Sequence, residues 1–356
     1  MDLLENIKIT NFRGFDEKGI EIDGLSKFNV FVGRNNCGKT SVLEAICLLA
    51  SLRNPNVAVA MNSIRRIYNN NNDNSNLKCL FHNNVFNKKT NPKFIGNMCD
   101  NTERKLEIIP VSTSYPKNID KTNLDTMVNS VMDAAVLESV YFSWHTKDKN
   151  GEFLEQGNNL EHEILMPILD MPLIYIPSSN LQGLLENNLF MLSKENSEHI
   201  VNRELNKFDR RIKSVHSMKD GIYCVIDGIS EKVKIETLGD GVYRFLNVIV
   251  PVILKKCQYL CIDEIENGLH YTSQKLLLKS LLRFSESNNV QLFMTTHNIE
   301  ILKNLKEVLE EDEMASMRDF TKIFDIVKAE KTDFKSYKYD FETFSHLIKT
   351  ETEMRI

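Results

Sequence analysis

The sequence has no apolar run long enough to cross a membrane. Its longest such stretch, from Phe245 to Leu254, falls far short of the roughly 20 residues that a membrane-spanning helix needs. The amino terminus carries acidic residues and not a basic segment followed by an apolar one, which argues against a secretory signal peptide. We therefore expect a soluble cytoplasmic protein with no membrane partner.

The sequence also lacks paired cysteines and an excess of positive charge. None of its seven cysteines forms a C-x-x-C pair, which argues against a zinc ribbon and favours free thiols in a reducing compartment. Lysine and arginine number 44 against 49 acidic residues, a formal net charge of −5. This balance argues against a generic nucleic-acid coat or a polybasic membrane binder, although it allows a local basic patch.

Glycine is scarce, with 14 residues in 356, yet two glycines have the spacing of a phosphate-binding loop. The pattern G-x-x-x-x-G-K-[ST] is met at residues 33–40. In such a loop the glycines let backbone N–H groups point at phosphates, the lysine adds a positive charge and the hydroxyl group binds Mg²⁺. The predicted ATP-binding residues are Gly33, Arg34, Asn35, Asn36, Cys37, Gly38, Lys39, Thr40 and Ser41.

The segments around this loop have the patterns that a phosphate loop requires. Residues 28–32 are a compact apolar run that predicts a buried strand, and residues 41–52 predict a helix. Apolar strands and helices then alternate in the second half of the chain, which predicts a largely parallel α/β sheet. We predict strands at 172–177, 259–262 and 291–295, helices at 180–217, 241–255 and 274–285, and a hairpin at 223–235.

Two acidic residues follow the apolar strand at 259–262. In a P-loop fold this strand lies beside the phosphate loop, so Asp263 is predicted to reach the Mg²⁺ shell. Glu264 is then placed to polarise the attacking water. Acidic residues also cap many surface strands, so this signal is weak when taken alone. The acids lie more than half the chain after Lys39, a spacing that requires an insertion, and residues 53–165 supply one.

A histidine and a glycine turn complete the set of motifs. His297 follows the strand at 291–295, where an imidazole can bond a γ-phosphate or the attacking water, although many histidines at strand ends are only polar caps. The turn at 237–241 contains two glycines before a helix, so its N–H groups are available to an anion. A second phosphate site in one chain makes sense if two chains pair and each offers this turn to the nucleotide of the other.

This order of motifs resembles the ABC-type ATPases of the SMC and RecF group. Residues 9–15 (ITNFRGF), followed by the phosphate loop, are typical of that group. The sequence is also similar to the OLD-like ATPases of anti-phage systems. That similarity covers residues 1–53 and 166–310, and LGDGVYR at 238–244, IDEIENGLH at 262–270 and QLFMTTH at 291–297 carry it.

The resemblance implies an α/β ABC-type P-loop fold with a mixed sheet, an N-terminal antiparallel β part and an inserted small α+β region. It also implies a homodimer or larger homo-oligomer, in which two chains hold two ATP molecules with Mg²⁺ between them. Glu264 is then the catalytic acid, His297 the switch histidine, and Arg13 a nucleotide contact. The signature loop that reaches the opposite nucleotide is formed by Leu238, Gly239, Asp240 and Gly241. The glutamine loop is assigned to Gln182, which is also read as a helical surface residue.

The motifs divide the chain into four predicted regions. Residues 1–53 and 166–310 form the two parts of the ATPase, and residues 54–165 form the insertion, with a small sheet of its own and an Asn-rich loop at 69–74. A hairpin tip is predicted at Asn150-Gly151. Residues 311–356 form a charged extension with a strand and a short helix at most.

Two functions fit these motifs. The first is a sensor or regulatory ATPase of a bacterial anti-phage system, which acts on a separate effector such as a nuclease or toxin. The residues after His297 are too few for the Toprim nuclease domain of many OLD proteins, so we expect the effector to be another chain. The second is a RecF-like or SMC-like ATPase that binds nucleic acid during repair or recombination. A membrane-transporter subunit fits poorly, because the signature differs from Leu-Ser-Gly-Gly.

Overall fold

The computed structural model describes residues 3–52, 54, 56–65, 67, 74–85, 90–112, 137–147, 153–159, 173–178, 184–254, 257–329 and 333–350. The strands in them are β1 (Leu4–Thr10), β2 (Ile20–Asp23), β3 (Phe28–Val32), β4 (Lys93–Met98), β5 (Glu103–Ser112), β6 (Leu137–Lys147), β7 (Phe153–Asn159), β8 (Leu173–Ile176), β9 (Ile212–Met218), β10 (Gly221–Ile226), β11 (Val233–Lys234), β12 (Tyr259–Ile262), β13 (Gln291–Thr295), β14 (Thr321–Lys328) and β15 (Phe334–Tyr339). The α-helices are α1 (Lys39–Ala50), α2 (Asn56–Ile64), α3 (Leu184–Lys194), α4 (Glu198–Phe208), α5 (Asp240–Leu254), α6 (Tyr271–Asn288), α7 (Ile299–Glu310) and α8 (Phe341–Lys349). None of the helices in these ranges is long and apolar enough to span a bilayer.

A six-stranded sheet carries the phosphate loop near its centre. Its strand order is β15-β14-β3-β13-β12-β8, and every neighbouring pair is parallel except β14 with β15. Every residue of β3, β12 and β13 is buried. Such continuous burial is expected where both faces of a parallel sheet are covered. The parallel α/β core predicted from the sequence is confirmed.

The two faces of this sheet pack against different layers. Val30 and Ile262 lie in a core formed with helices α3 to α7. Phe31 and Phe293 lie in a second core formed with α1 and the N-terminal sheet. Successive side chains of a strand point to opposite faces, so β3 contributes Val30 to one core and Phe31 to the other. The phosphate loop therefore starts from a strand fixed on both sides.

The N-terminal sheet is antiparallel, with the order β2-β1-β4-β5-β6-β7. The expectation that residues 54–165 have a sheet of their own is wrong for the described residues, because β4 pairs with β1, with Ile7 opposite Gly96. Ile7 and Phe94 lie in the same core, so these strands continue one sheet. Residues 69–73 of the loop predicted at 69–74 fall outside the described residues, as does the predicted tip at Asn150-Gly151. Asn74, the last residue of the predicted loop, begins a 3₁₀ helix at Asn74–Leu80.

Two further expectations need correction. The helix predicted at 180–217 is wrong in its last part, because α4 ends at Phe208 and β9 follows. In β9, Val215 is buried opposite Cys224 of β10, and this pairing across strands replaces helical packing. Residues 311–356 also contain more regular structure than the strand and short helix that we expected. They contain β14, β15 and α8, and β14 pairs with β3 beside the phosphate loop.

Candidate active site

The phosphate loop leaves β3 with a backbone that glycine adopts most readily. Gly33 has φ +137° and Gly38 has φ +100°. A Cβ on Gly33 would lie 2.4 Å from the carbonyl oxygen of Ile326, and one on Gly38 would lie 2.8 Å from the ring of Phe15. Conformation and space therefore both require glycine at these two positions.

The loop leads directly into α1, which begins at Lys39. Gly38 precedes the helix and has no side chain to cap it, so the N–H groups of the first turn are available to an anion. Lys39 is only 7% exposed, and its Nζ donates to the carbonyl oxygens of Gly33 at 2.7 Å and Arg34 at 3.0 Å. The ammonium group is thus held against the loop in which its charge is predicted to bind phosphate.

Asp263 meets the end of this loop, although β13 lies between β3 and β12. The hydroxyl group of Thr40 donates to Asp263 Oδ1 at 3.0 Å, and the aspartate is only 4% exposed. Burial raises the pKa of Asp263, while hydrogen bonds from Thr295 and Thr40 act in the opposite direction. A hydroxyl and a carboxylate at this distance fit Mg²⁺, which is commonly held by few protein oxygens together with phosphate and water.

Glu264 stands beside Asp263 in a left-handed backbone conformation, with φ +46°. Its Oε2 accepts from Asn267 Nδ2 at 2.8 Å, and its side chain is 34% exposed. His297 Nδ1 lies 3.8 Å from Glu264 Oε1. The structure therefore brings Lys39, Thr40, Asp263, Glu264 and His297 to one end of the parallel sheet, and the roles assigned to them stay predictions.

Sequence reasoning gave no role to Glu266, which the structure places against His297. Its side chain is 6% exposed, and its Oε1 accepts the backbone N–H of His297 at 3.0 Å and lies 3.1 Å from Nδ1 of the same residue. A carboxylate on one ring nitrogen leaves the other nitrogen to face a ligand. The available signal was an acid two positions after Glu264.

Arg244 is a second residue whose role the sequence did not show. It is 6% exposed and donates to the backbone carbonyls of Pro177 at 2.8 Å, Asp263 at 3.2 Å and Glu264 at 3.4 Å. Burial lowers the pKa of its guanidinium, against the attraction of the nearby acids. Arg244 therefore ties α5 to β8 and to the loop after β12.

The predicted signature turn lies at the start of α5. Gly239 has φ +90°, and both Gly239 and Asp240 are exposed. A Cβ on Gly241 would lie 3.4 Å from the carbonyl oxygen of Gly268, so the turn packs on the loop that follows the acid pair. Its role towards a second nucleotide stays a prediction, and Gln182 falls outside the described residues.

Arg13 occupies a different environment from the one a nucleotide contact suggests. Its Nε lies 2.6 Å from Glu44 Oε2, with both side chains almost fully buried, and its Nη2 donates to Asn62 Oδ1 at 3.1 Å. Arg65 also pairs with Glu44, at 2.6 Å. In this structure Arg13 therefore anchors α1, one turn beyond the phosphate loop, and its contact with nucleotide stays a prediction.

Glu44→Ala is expected to lower the free energy of unfolding by about 3–5 kcal/mol, because two guanidinium groups then lose their carboxylate. Chemical denaturation monitored by circular dichroism measures this change. The matched control is Glu17→Ala at an exposed position, which should shift stability by less than about 0.5 kcal/mol. Equal effects of the two substitutions would contradict the anchoring role of Glu44.

Asp263→Asn is expected to raise the stability of the nucleotide-free protein at neutral pH. The pKa of Asp263 is raised by burial, so its anion is less stable in the fold than in the unfolded chain. This penalty is full above the folded pKa and vanishes below the unfolded pKa, where both states are protonated. Thermal melts at pH 7 and at acid pH should show a gain at pH 7 that disappears at acid pH, and a less stable variant at pH 7 would contradict this reading.

The chain is similar to proteins that are described as ATPases and phosphatases. The family described as AAA ATPase domain matches residues 3–221 and 176–302. An ATP/GTP phosphatase of Helicobacter pylori is 25% identical over 353 residues, which cover 90% of this chain and 92% of that protein. The DNA replication and repair protein RecF of Acidothermus cellulolyticus is 38% identical over 63 residues, 18% of this chain and 16% of RecF.

Solved structures show the same fold. An Smc head domain with an extended coiled coil, derived from Pyrococcus furiosus and bound to the C-terminal domain of ScpA, aligns with a TM-score of 0.52 and 11% identity, over 99% of this chain and 100% of that chain. An SmcHead bound to the C-winged helix domain of ScpA aligns with a TM-score of 0.51 and 13% identity, over 95% and 98% of the two chains. At these identities the likeness concerns the fold: an SMC-head-like α/β fold with a mixed sheet and an antiparallel sheet.

Proposed function

Because the chain belongs to the family of AAA ATPase domains, we propose that it binds ATP with Mg²⁺ and hydrolyses the bond between the β- and γ-phosphates. The site that we propose for this reaction lies at the end of the parallel sheet. The observation that carries this proposal is the Thr40–Asp263 hydrogen bond of 3.0 Å. It joins the phosphate loop to the acid pair, which are far apart in the sequence. The ATP/GTP phosphatase that matches most of the chain supports the same reaction class.

Each residue has a distinct part in this reaction. The loop N–H groups and Lys39 hold the phosphates, and Thr40 with Asp263 would hold the Mg²⁺, which neutralises charge on the phosphates. Glu264 orients and polarises the attacking water. His297, supported by Glu266 at 3.1 Å, offers its other ring nitrogen to the γ-phosphate or the water.

The complete site is proposed to form between two chains. Gly239 and Asp240 of the signature turn at 238–241 are exposed at the start of a helix, where the N–H groups suit a phosphate from a second chain. A head-to-tail dimer would place each turn against the nucleotide of its partner, with two equivalent sites in one symmetric assembly.

Light scattering tests this assembly. The Glu264→Gln variant, which should bind ATP but hydrolyse it slowly, is expected to double in mass when ATP and Mg²⁺ are added. The same variant combined with Lys39→Ala should keep its nucleotide-free mass under identical conditions. If ATP and Mg²⁺ change the mass of neither protein, an ATP-dependent dimer is contradicted.

The biological role that we propose is a regulatory ATPase of an anti-phage system with a separate effector. The motifs at 238–244, 262–270 and 291–297, which are similar to those of OLD-like ATPases, support it. In cells that carry this gene with its neighbouring genes, phage infection should be restricted, and Lys39→Ala should abolish the restriction. Equal phage yields with and without the genes would contradict this role.

A RecF-like role in DNA repair is the second candidate, and the 63-residue match to RecF favours it. It predicts binding of duplex DNA that weakens steeply as salt increases, because lysines and arginines then compete with counterions for phosphates. The net charge of −5 does not favour such binding. Fluorescence anisotropy with labelled duplex DNA at several salt concentrations separates the two candidates.

A further inference from the structure

The residue that joins the two acids of the site is Thr295, the last residue of β13. It is fully buried, and β13 pairs in parallel with β12, with Met294 opposite Ile262. This register places the end of β13 beside the start of the loop that carries Asp263 and Glu264.

The hydroxyl group of Thr295 makes two hydrogen bonds, one to each acid residue. It donates to Asp263 Oδ1 at 2.7 Å, and it accepts the backbone N–H of Glu264 at 2.8 Å. A hydroxyl group donates one proton and accepts hydrogen bonds through its lone pairs, so Thr295 acts as donor and as acceptor at the same time. One side chain thus sets the rotation of the Asp263 carboxylate and the position of the Glu264 backbone.

The backbone of Glu264 needs such support. Its φ of +46° is a left-handed conformation that non-glycine residues rarely adopt, and it persists only where neighbouring contacts hold it. Besides Thr295, Asn267 holds the Glu264 side chain at 2.8 Å and Arg244 donates to its carbonyl oxygen at 3.4 Å. The Thr295 bond is as short as any of these, and it acts directly on the peptide that orients Glu264.

The same hydroxyl group also bears on Thr40. Thr40 and Thr295 both donate to Asp263 Oδ1, at 3.0 Å and 2.7 Å. Loss of the Thr295 bond would free the Asp263 carboxylate to rotate, and the carboxylate and the Thr40 hydroxyl would lose their fixed relation. The hydroxyl groups of Thr40 and Thr295 therefore act on the same oxygen of the carboxylate at the proposed Mg²⁺ site.

We propose that Thr295 is a positioning residue, which fixes the Asp263 carboxylate and the strained Glu264 backbone for ATP hydrolysis without touching the nucleotide. This inference rests on the proposed function, since it assigns Thr295 a part in that reaction. A purely structural role would require only its methyl group and its burial in the sheet.

The test compares Thr295→Val, which removes the hydroxyl at nearly constant volume, with Thr295→Ser, which keeps it. Steady-state kinetics should show kcat reduced about 100-fold in Thr295→Val, the order of loss that a misplaced catalytic group produces. The KM for ATP should stay within about 3-fold, because the phosphate loop is untouched. Half-saturation with Mg²⁺ should move to higher concentration, and Thr295→Ser should recover kcat to within a few-fold of the parent protein.

Thr321→Val is the matched control, because Thr321 is a fully buried threonine of the same sheet, and its hydroxyl donates to the carbonyl oxygen of Met317 at 2.8 Å. It should keep the parent kcat. If Thr295→Val does not fold, Thr295→Ala carries the same expectation. Thermal melts verify that each variant is folded.

The inference is overturned if Thr295→Val keeps kcat within about 3-fold of the parent, or if Thr295→Ser is as slow as Thr295→Val. Glu264→Gln separates this failure from a failure of the proposed function. If Glu264→Gln is inactive while Thr295→Val is active, only the role of Thr295 is wrong. If Glu264→Gln is fully active, the proposed hydrolytic site itself is wrong.

Discussion

Glu264→Gln is expected to slow ATP hydrolysis by about 10²–10⁴-fold, the range that general-base catalysis contributes. Glutamine keeps the size of the side chain and can still bond Asn267, which lies 2.8 Å from Glu264 Oε2. It cannot accept a proton from the attacking water. ATP affinity should therefore change little, and the loss should appear in kcat.

Phosphate release and equilibrium binding of labelled ATP measure these two quantities separately. Glu231→Gln, at an exposed position, makes the same chemical change away from the site and should hydrolyse ATP at the parent rate. If Glu264→Gln retains the parent kcat, or if it fails to bind ATP, Glu264 does not have the role assigned to it.

Lys39→Ala is expected to weaken ATP binding by about 10- to 150-fold, the value of one hydrogen bond between charged partners. Lys39 is 7% exposed and its Nζ is held by Gly33 and Arg34, so the ammonium group is already ordered in the loop. Its loss removes a charge that would otherwise meet the outer phosphates. Gly33 and Gly38 still favour the loop conformation, although the loop carbonyls lose their two hydrogen bonds from Lys39 Nζ.

Isothermal titration calorimetry with a slowly hydrolysed ATP analogue measures this loss directly. Lys18→Ala removes one positive charge at an exposed position and should leave the affinity unchanged. Equal affinities of Lys39→Ala and the parent protein would contradict a phosphate-binding loop at 33–40.

The sequence predicted the central part of the fold because its strands are buried on both faces. The runs at 28–32, 259–262 and 291–295 are mostly apolar, and the structure buries every residue of β3, β12 and β13. The phosphate loop and the acid pair follow two of these strands, so their positions at one sheet end follow from parallel pairing.

The errors arose where tertiary pairing overrides the local pattern. Residues 212–218 lie in a segment rich in charged residues that suits a helix, but cross-strand burial of Val215 against Cys224 makes them a strand. The pairing of β4 with β1 joins segments far apart in the chain, and no local signal specifies it. The same holds for β14, which completes the sheet beside β3.

The supporting residues of the site were harder to predict than the motif residues. Thr295 and Glu266 act through single contacts, to Asp263 at 2.7 Å and to the His297 N–H at 3.0 Å. Such contacts depend on the register between strands and loops, which one sequence does not reveal. Arg13 is the opposite case. Its motif suggested a contact with the nucleotide, but in the structure its guanidinium group pairs with the buried carboxylate of Glu44.

The composite site between two chains is tested most directly by mixing two inactive variants. Lys39→Ala disables the phosphate loop, and Gly239→Asp places a carboxylate on the signature turn, where an added Cβ meets nothing within 4 Å and the new charge would repel a phosphate. Gly228→Asp is the matched control. Gly228 also has positive φ and open space, but it lies in the turn between β10 and β11, and this variant should stay active.

In a mixed dimer, one site combines both defects and the other combines both intact halves. An equal mixture should therefore recover about a quarter of the parent rate, since half of the dimers are mixed and each has one working site. Such recovery from two inactive proteins would establish that each nucleotide is held by the loop of one chain and the turn of the other. A mixture as inactive as its components would contradict the shared site.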